Sequence, residues 1–272
     1  MAELPVIGAA MMIADIDKHL PFLKEKDRDI EIQDFTKVDI LNGDWRSVCR
    51  QALDRLGDYK GRIGIHGPFW GFTIASADPD IRTVVARRMD QGLDACAELG
   101  ARYMVIHSPF TTWDYNNLPN YPAAFQTVVQ RTHDTIGGAV RRAEQLGVTL
   151  VIENIEDKDP HARVRLAGSF ASPAVTVSID TGHAHYAHGS TGAPPVDYYV
   201  GAAAGLLRHV HLQDADGYAD RHWEIGKGSI HWDVVFDAIG MLDVQPHLML
   251  ELRDTTRIEA SLEWLKQRGL AQ

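Results

Sequence analysis

Short segments of six to eight residues, each with several apolar residues such as Val and Ile, alternate along the chain with longer segments. In the longer segments, apolar residues recur every three or four positions, which is the helical spacing. Three of these segments close on Gly, the residue preferred just past a helix end. The pattern predicts eight strands with connecting helices between them. The predicted strands lie within 5–10, 29–35, 62–69, 103–110, 148–154, 175–180, 207–214 and 247–254.

A helix after each strand is typical of parallel βαβ units. Eight such units in about 250 residues match the size of a closed (β/α)₈ TIM barrel. We therefore expect residues 1–272 to form a single α/β domain of this class. A doubly wound open sheet is the alternative, but no Gly-rich dinucleotide loop follows the first strand.

The last six runs each end in a side chain that can bind a metal ion. In a barrel the C-terminal ends of the strands meet at one face, and active-site residues lie at that face. Contact with water alone could explain one or two polar residues at strand ends. If it explained all six, Ser, Thr, Asn, Lys and Arg would be expected among them as well. Acids and imidazoles this close together need a compensating cation. The strand ends are His66, His107, Glu153, Asp180, His211 and Glu251.

These donors are carboxylates and imidazoles without thiolates, a set that suits Zn²⁺, Mn²⁺, Co²⁺ or Mg²⁺. The core of the predicted site is Glu153, Asp180, His211 and Glu251. His209 lies two residues before His211 and therefore on the same inward face, deeper in the barrel. We expect His209 to be a hydrogen-bonding partner and not a ligand.

The composition, 45% hydrophobic and 24% charged, is that of a folded globular protein, and the net charge of −10 argues against general nucleic-acid binding. The longest apolar runs, about six residues, fall far short of the roughly 20 that cross a bilayer. No basic segment precedes the N-terminal apolar stretch, so we expect no membrane association and a cytoplasmic location. Cys49 and Cys96 both fall in predicted helices and suggest no disulfide. The sequence is compatible with a monomer and with a homo-oligomer.

Four segments carry a family resemblance: "VIEN", "SIDTGHAHYAHG", "HVHLQDADGYADRHWEIGKGSIHW" and "LMLELRD". In order and spacing they resemble the xylose-isomerase-like barrel superfamily, which holds sugar isomerases and epimerases together with endonuclease IV. The resemblance to ketose epimerases implies one divalent metal ion bound by the four core residues. It also implies that Glu153 and Glu251 transfer a proton as acid and base through a metal-stabilised enediolate, while His183 contacts the substrate.

Endonuclease IV offers a second match, with nine ligands for three zinc ions. Its remaining positions correspond to His66, His107, His183, Asp220 and His222. The loops in which the nuclease would grip its nucleotide differ here: the N-terminal run, "HSPF" and "ENIEDKDPHA" all depart from its pattern.

The leading hypothesis is therefore a metal-dependent isomerase or epimerase of a small sugar, sugar phosphate or related hydroxy-ketone, with one bound metal ion. The alternative is a phosphodiesterase with two or three metal ions that acts on DNA or another phosphoester. A dehydratase of a cyclic polyol or keto acid uses related chemistry. A catalytically silent, ligand-binding barrel is the least favoured.

Several side chains beyond the strand ends are weaker candidates. Trp70 and Trp113 could form an apolar wall against a sugar ring, or simply pack at the rim. Lys227 could reach a phosphate or carboxylate, although a solvated loop lysine is the more ordinary interpretation. Substrate contact and interior hydrogen bonding both stay open for Glu31 and Gln33. We expect His185 and His188 to be loop or supporting residues.

Overall fold

The computed structural model describes residues 4–272, apart from the side chain of Leu118. Eight strands form a closed barrel in which each strand runs parallel to the next and the first pairs with the last. The predicted (β/α)₈ architecture is confirmed, and β1 ends one residue later than its predicted run. The strands are β1 Ile7–Met11, β2 Ile30–Ile32, β3 Ile63–His66, β4 Tyr103–His107, β5 Thr149–Glu153, β6 Val175–Asp180, β7 Leu207–Leu212 and β8 His247–Leu250.

Helices follow the strands and cover the outside of the barrel. They are α1 Ile16–Glu25, α2 Val38–Asn42, α3 Trp45–Leu56, α4 Pro79–Leu99, α5 Thr112–Asn117, α6 Ala124–Leu146, α7 Pro160–Ser169, α8 Thr181–Thr191, α9 Val196–Ala203, α10 Trp232–Gly240 and α11 Ile258–Gln267. The long helices end where Gly was expected to end them: Gly100 and Gly147 both have a φ of 65°, in the left-handed region that glycine favours. The crossover from β6 to β7 contains two helices, α8 and α9.

Strand register brings the polar strand ends to one level. His107 lies opposite Glu153 across β4 and β5, and Asp180 lies opposite His211 across β6 and β7. Two strand ends differ by one residue from the sequence expectation, because β7 continues to Leu212 and β8 stops just before Glu251. Side chains near the C-terminal ends of six strands therefore share one face of the barrel.

Period-two alternation separates the barrel interior from the layer under the helices. Tyr103, Val105 and Val151 form a small buried cluster in the same inward set as His107 and Glu153. Gly64 leaves room for the Tyr103 ring, since a Cβ at Gly64 would lie 2.0 Å from that ring. The interior is thus packed by side chains below the polar face. Within residues 4–272, no helix is both long and apolar enough to cross a membrane.

Candidate metal centre

Four strand-end side chains form a compact, buried group. Glu153, Asp180, His211 and Glu251 each place one ligand atom within 4.8 Å of the others. Nδ1 of His211 lies 2.6 Å from Oε1 of Glu153 and 3.3 Å from Oε2 of Glu251. All four are at least nine-tenths buried. This core group brings three carboxylates and one imidazole to a single point.

The donor set of the core group fits a divalent cation. Oε2 of Glu153 and Oδ2 of Asp180 are buried and have no hydrogen-bond partner among residues 4–272. Burying three carboxylates together is costly unless a cation compensates them. A cation held at this point would satisfy Oδ2 of Asp180 and balance the charge of the three carboxylates.

A second group flanks the core on the side of β3 and β4. Nε2 of His66 and Nε2 of His107 each lie 3.6 Å from Oε2 of Glu153. Glu153 therefore belongs to both groups and presents one carboxylate oxygen to each. We refer to His66, His107 and Glu153 as the β3–β4 group.

A third group combines His183, at the start of α8, with Asp220 and His222 from the loop after β7. Nε2 of His183 lies 3.5 Å from Oδ2 of Asp220, and Nε2 of His222 lies 3.1 Å from Oδ1 of the same side chain. The structure thus gathers all nine positions from the endonuclease comparison into three adjacent groups. We refer to this third set as the loop group.

Three histidines of the flanking groups share one tautomeric arrangement. In each, Nδ1 donates to a backbone carbonyl, so Nε2 is the ring nitrogen that faces a carboxylate and is available to bind a cation once it has lost its proton. The bonds run from His66, His183 and His222 to the carbonyl oxygens of Gly67, Asn154 and Glu251, over 3.0, 2.9 and 3.0 Å. Such a second hydrogen bond is the usual support of a metal-binding imidazole, because it fixes the ring and the tautomer.

Burial dominates the acid–base properties of this region. It raises the pKa of Asp180 to about 6 and lowers the pKa of His107 to about 3. Burial also opposes the charge on His222, but the carboxylates of Glu251 and Asp220 outweigh it and raise the pKa of His222 to about 9. Without a cation, some of these groups must hold protons, and a bound cation would displace them.

Glu31 and Gln33, from β2 and the turn after it, support the core group. Oε1 of Glu31 lies 2.9 Å from Nε2 of His211, and Oε2 lies 3.1 Å from Nε2 of His209. Gln33 donates from Nε2 to Oε1 of Glu251. Of the two interpretations open for these residues, the structure shows interior hydrogen bonding. His209 occupies the deeper inward position and bonds to Ser178 through Nδ1.

Gln213 is a residue that sequence reasoning missed. Its amide nitrogen donates to Asp180 over 3.1 Å and to Asp220 over 2.9 Å, so one side chain links the core group to the loop group. The signal was present in the sequence, because Gln213 continues the inward alternation of His209 and His211 by one more step.

The weaker candidates lie around these groups. Trp70 is 65% exposed and contacts Phe69, whose ring stacks on His107 at 4.0 Å. Trp113 is 75% exposed, and Lys227 is exposed with its ammonium 5.6 Å above the Trp223 ring. Neither Trp113 nor Lys227 belongs to any of the three groups.

The second and third histidines of "GHAHYAH" lie on α8 and not in a loop, because the helix begins directly after Asp180. His185 bonds to Ser229, and His188 bonds to the carbonyl of Ala193. A groove of about 920 Å³ opens beside the loop group. Its walls include His185, Tyr186, Gly217, Tyr218, Asp220 and Ser229.

Comparisons with known proteins agree with this architecture. A D-tagatose 3-epimerase-like protein is 19% identical, with a TM-score of 0.77 over 97% of this chain and 96% of its own. The TTHB071 protein from Thermus thermophilus, in a structure soaked with ZnCl₂, is 27% identical, with a TM-score of 0.72 over 97% of each chain. The 3-keto-D-glucoside 4-epimerase from E. coli is 16% identical, with a TM-score of 0.68 over 96% of this chain and 98% of its own.

A family model described as xylose isomerase-like TIM barrel matches residues 30–268. This range runs from β2 through the last helix and includes every member of the three groups. The chain therefore belongs to the xylose isomerase-like TIM barrel family.

Proposed function

We propose that this protein is a metal-dependent isomerase or epimerase of a small sugar, sugar phosphate or related hydroxy-ketone. One observation carries the proposal: two glutamates, Glu153 and Glu251, enter the same buried core group from different strands, and Oε2 of Glu153 has no hydrogen-bond partner among residues 4–272. Burial raises the pKa of Glu153, but the imidazoles of His211 and His66 outweigh burial and hold that pKa well below its usual range. Glu153 is therefore ionised and able to accept a proton from a bound substrate.

The division of roles follows from the contacts of the two glutamates. A divalent cation held by the core group would supply a Lewis acid for the carbonyl oxygen of the substrate. Glu153 would remove the proton from the neighbouring carbon with Oε2. Glu251, whose Oε1 is held by Gln33, would enter the reaction protonated and give that proton to the same carbon, so that Glu153 ends protonated and Glu251 ionised. Because the two carboxylates come from β5 and from the end of β8, they can approach a bound substrate from different sides.

The groove beside the loop group accommodates a small sugar or sugar phosphate. Its volume of about 920 Å³ lies in the upper part of the range for small-molecule sites, roughly 300–1,000 Å³. Tyr186 and Tyr218 line it, and tyrosine offers both an apolar ring face and a hydroxyl to a polyol. The D-tagatose 3-epimerase-like neighbour and the 3-keto-D-glucoside 4-epimerase also support a carbohydrate substrate.

The direct test is proton exchange with D₂O over a panel of ketoses, ketose phosphates and inososes, followed by NMR. We expect deuterium at a carbon next to a carbonyl, and we expect Glu153→Gln or Glu251→Gln to abolish it. Glu263→Gln is the matched control, since Glu263 is exposed on α11 and bonds to Gln267. Full exchange activity in both active-site variants would contradict the assignment of the bases.

The three adjacent groups favour a second candidate, phosphoester hydrolysis on a centre with two or three metal ions. A single-ion epimerase needs only the core group, whereas the β3–β4 group and the loop group also hold ligand-ready imidazoles. Multi-metal sites stabilise both the attacking and the leaving oxygen of a displacement at phosphorus.

Elemental analysis of protein saturated with Zn²⁺ or Mn²⁺ and then freed of excess metal, combined with activity assays, separates the two candidates. One ion per chain together with deuterium exchange supports the epimerase. Two or three ions, with cleavage of abasic-site DNA or bis(p-nitrophenyl) phosphate and no deuterium exchange, would replace it with the hydrolase.

A further inference from the structure

A second cavity, of about 230 Å³, lies at the opposite end of the barrel from the candidate metal centre. Residues at the N-terminal ends of the strands form it, among them Arg62, Arg102, Thr149, Thr176, Arg208 and His247. Thr176 precedes Asp180 by four positions on β6, which is about 13 Å at the rise of a β-strand. No member of the three ligand groups lines this basic cavity; His209 lines it and lies between it and His211, with 4.6 Å between the two ring centroids.

The charge of the basic cavity is unusual for a chain with a net charge of −10. Three arginines and two histidines line it, and no Asp or Glu does. Asp29, which is not part of the cavity lining, forms ion pairs with Arg62 at 2.9 Å and with His247 at 3.0 Å. Arg102 is exposed, and Arg208 donates from Nη1 to the carbonyls of Gly205 and Leu207 over 2.6 and 3.0 Å. Two of the three arginines that line the cavity are therefore not paired with a carboxylate within residues 4–272.

Two buried hydroxyl groups also line the cavity without a hydrogen-bond partner among the described residues. Only 3% of the surface of Tyr103 and 6% of the surface of Thr176 is exposed. The hydroxyl oxygens of both are unpartnered. An unsatisfied buried hydroxyl costs about 1–3 kcal/mol in a folded protein, so such groups usually meet a partner. Here the cavity is where that partner would lie.

We propose that the basic cavity binds a small oxyanion of the phosphate type, either inorganic phosphate or the phosphate end of a small metabolite. Guanidinium groups match the oxygen geometry of phosphate, and the two hydroxyls can donate to the remaining oxygens. The volume of about 230 Å³ is large enough for a compact anion. The inference is independent of the reaction at the metal centre.

Titration calorimetry on the metal-loaded full chain, with inorganic phosphate and with glycerol 3-phosphate, tests the proposal. We expect saturable binding of at least one probe. Arg102→Gln and Arg208→Gln should each weaken it about tenfold, because each removes a charge-assisted hydrogen bond. Tyr103→Phe should weaken it roughly fivefold through the loss of one neutral hydrogen bond. Tighter binding of glycerol 3-phosphate would identify a phosphorylated metabolite, and tighter binding of inorganic phosphate would identify the free ion.

Arg87→Gln is the matched control. It removes the same charge from an exposed position on α4, about three turns before the end of that helix, and should leave the affinity unchanged. Circular dichroism verifies folding, and Tyr103→Phe keeps the test decisive if an arginine variant is unstable. Absence of saturable binding would overturn the proposal. So would equal affinity in wild type, Arg102→Gln and Arg208→Gln, since the anion would then bind elsewhere, for example at the metal centre.

Discussion

Asp180 has two separable roles, one for each carboxylate oxygen. Oδ1 accepts from the backbone N–H of His183 over 2.6 Å and so caps α8, and it also accepts from Gln213. Oδ2 faces the core group without a partner among the described residues. In Asp180→Asn the amide oxygen can keep the cap, because Asn and Asp cap helices about equally well. The amide nitrogen would replace Oδ2 and donate to carboxylates within 4.8 Å.

The expected size of the effect follows from the burial of Asp180. Burial raises its pKa from 3.8 to about 6, which at about 1.4 kcal/mol for each tenfold change in acidity corresponds to about 3 kcal/mol. In the metal-free protein, the folded chain holds this proton up to a higher pH than the unfolded chain does. Stability therefore falls as the pH rises through about 6. At pH 8, Asp180→Asn should raise the free energy of unfolding of metal-free protein by up to about 3 kcal/mol.

The substitution should have the opposite effect on metal-loaded protein. A ligand at 1,000 times its dissociation constant stabilises the folded state by about 4 kcal/mol. Wild type should gain on this scale from Zn²⁺ or Mn²⁺. The variant should gain much less, since it has lost one of four core donors. The same residue therefore destabilises the metal-free chain and stabilises the loaded one.

Urea unfolding at pH 8 and pH 4, with chelator and with added metal, measures all of these quantities. Asp159→Asn is the matched control, because Asp159 caps α7 through the N–H of His161 and lies outside the three groups. Its effect should stay within about 0.5 kcal/mol under every condition. A metal-free Asp180→Asn protein less stable than wild type at pH 8, or one that gains as much from metal, would refute the reasoning.

Two further predictions concern the metal centre, and a third concerns the packing of the barrel interior. Metal affinity should rise with pH, because His222, with a pKa of about 9, must lose its proton to bind; chelator competition at pH 6 and pH 8 measures this, and equal affinities would contradict it. Glu31→Gln weakens the support of His211 and should lower metal affinity roughly 10- to 100-fold in the same competition assay. Gly64→Ala places a Cβ 2.0 Å from a buried ring and should destabilise the fold by about 1–3 kcal/mol in urea unfolding, whereas Gly168→Ala, with nothing within 4 Å, should be neutral or stabilising.

The periodicity of the sequence is enough to predict the barrel and most of the core group. Residues at strand ends point inward or outward by simple alternation, so Glu153 and Asp180 could be placed on the same face before any coordinates. The helix ends at Gly100 and Gly147 could also be predicted, because few residues other than glycine favour the left-handed backbone conformation found there.

Loop positions could not be derived in this way. Asp220 and His222 enter the site from an irregular segment, and only family resemblance indicated them. His222 has a φ of 49°, and the backbone N–H of His222 is held by Gln213. The path of this segment depends on such side-chain contacts, which no period describes. The exposure of Trp113 likewise depends on where α5 sits and not on its spacing.

The position of Glu153 in two groups couples their ion-binding equilibria. Oε1 faces His211, and Oε2 faces His66 and His107, so the core group and the β3–β4 group draw on one negative charge. An ion in either group uses part of the attraction that the other needs. The two sites should therefore load in order and with unequal affinity. The number of metal ions bound per chain would then depend on the free metal concentration. A preparation with one ion per chain would be partly loaded, and a higher metal concentration would fill the second group.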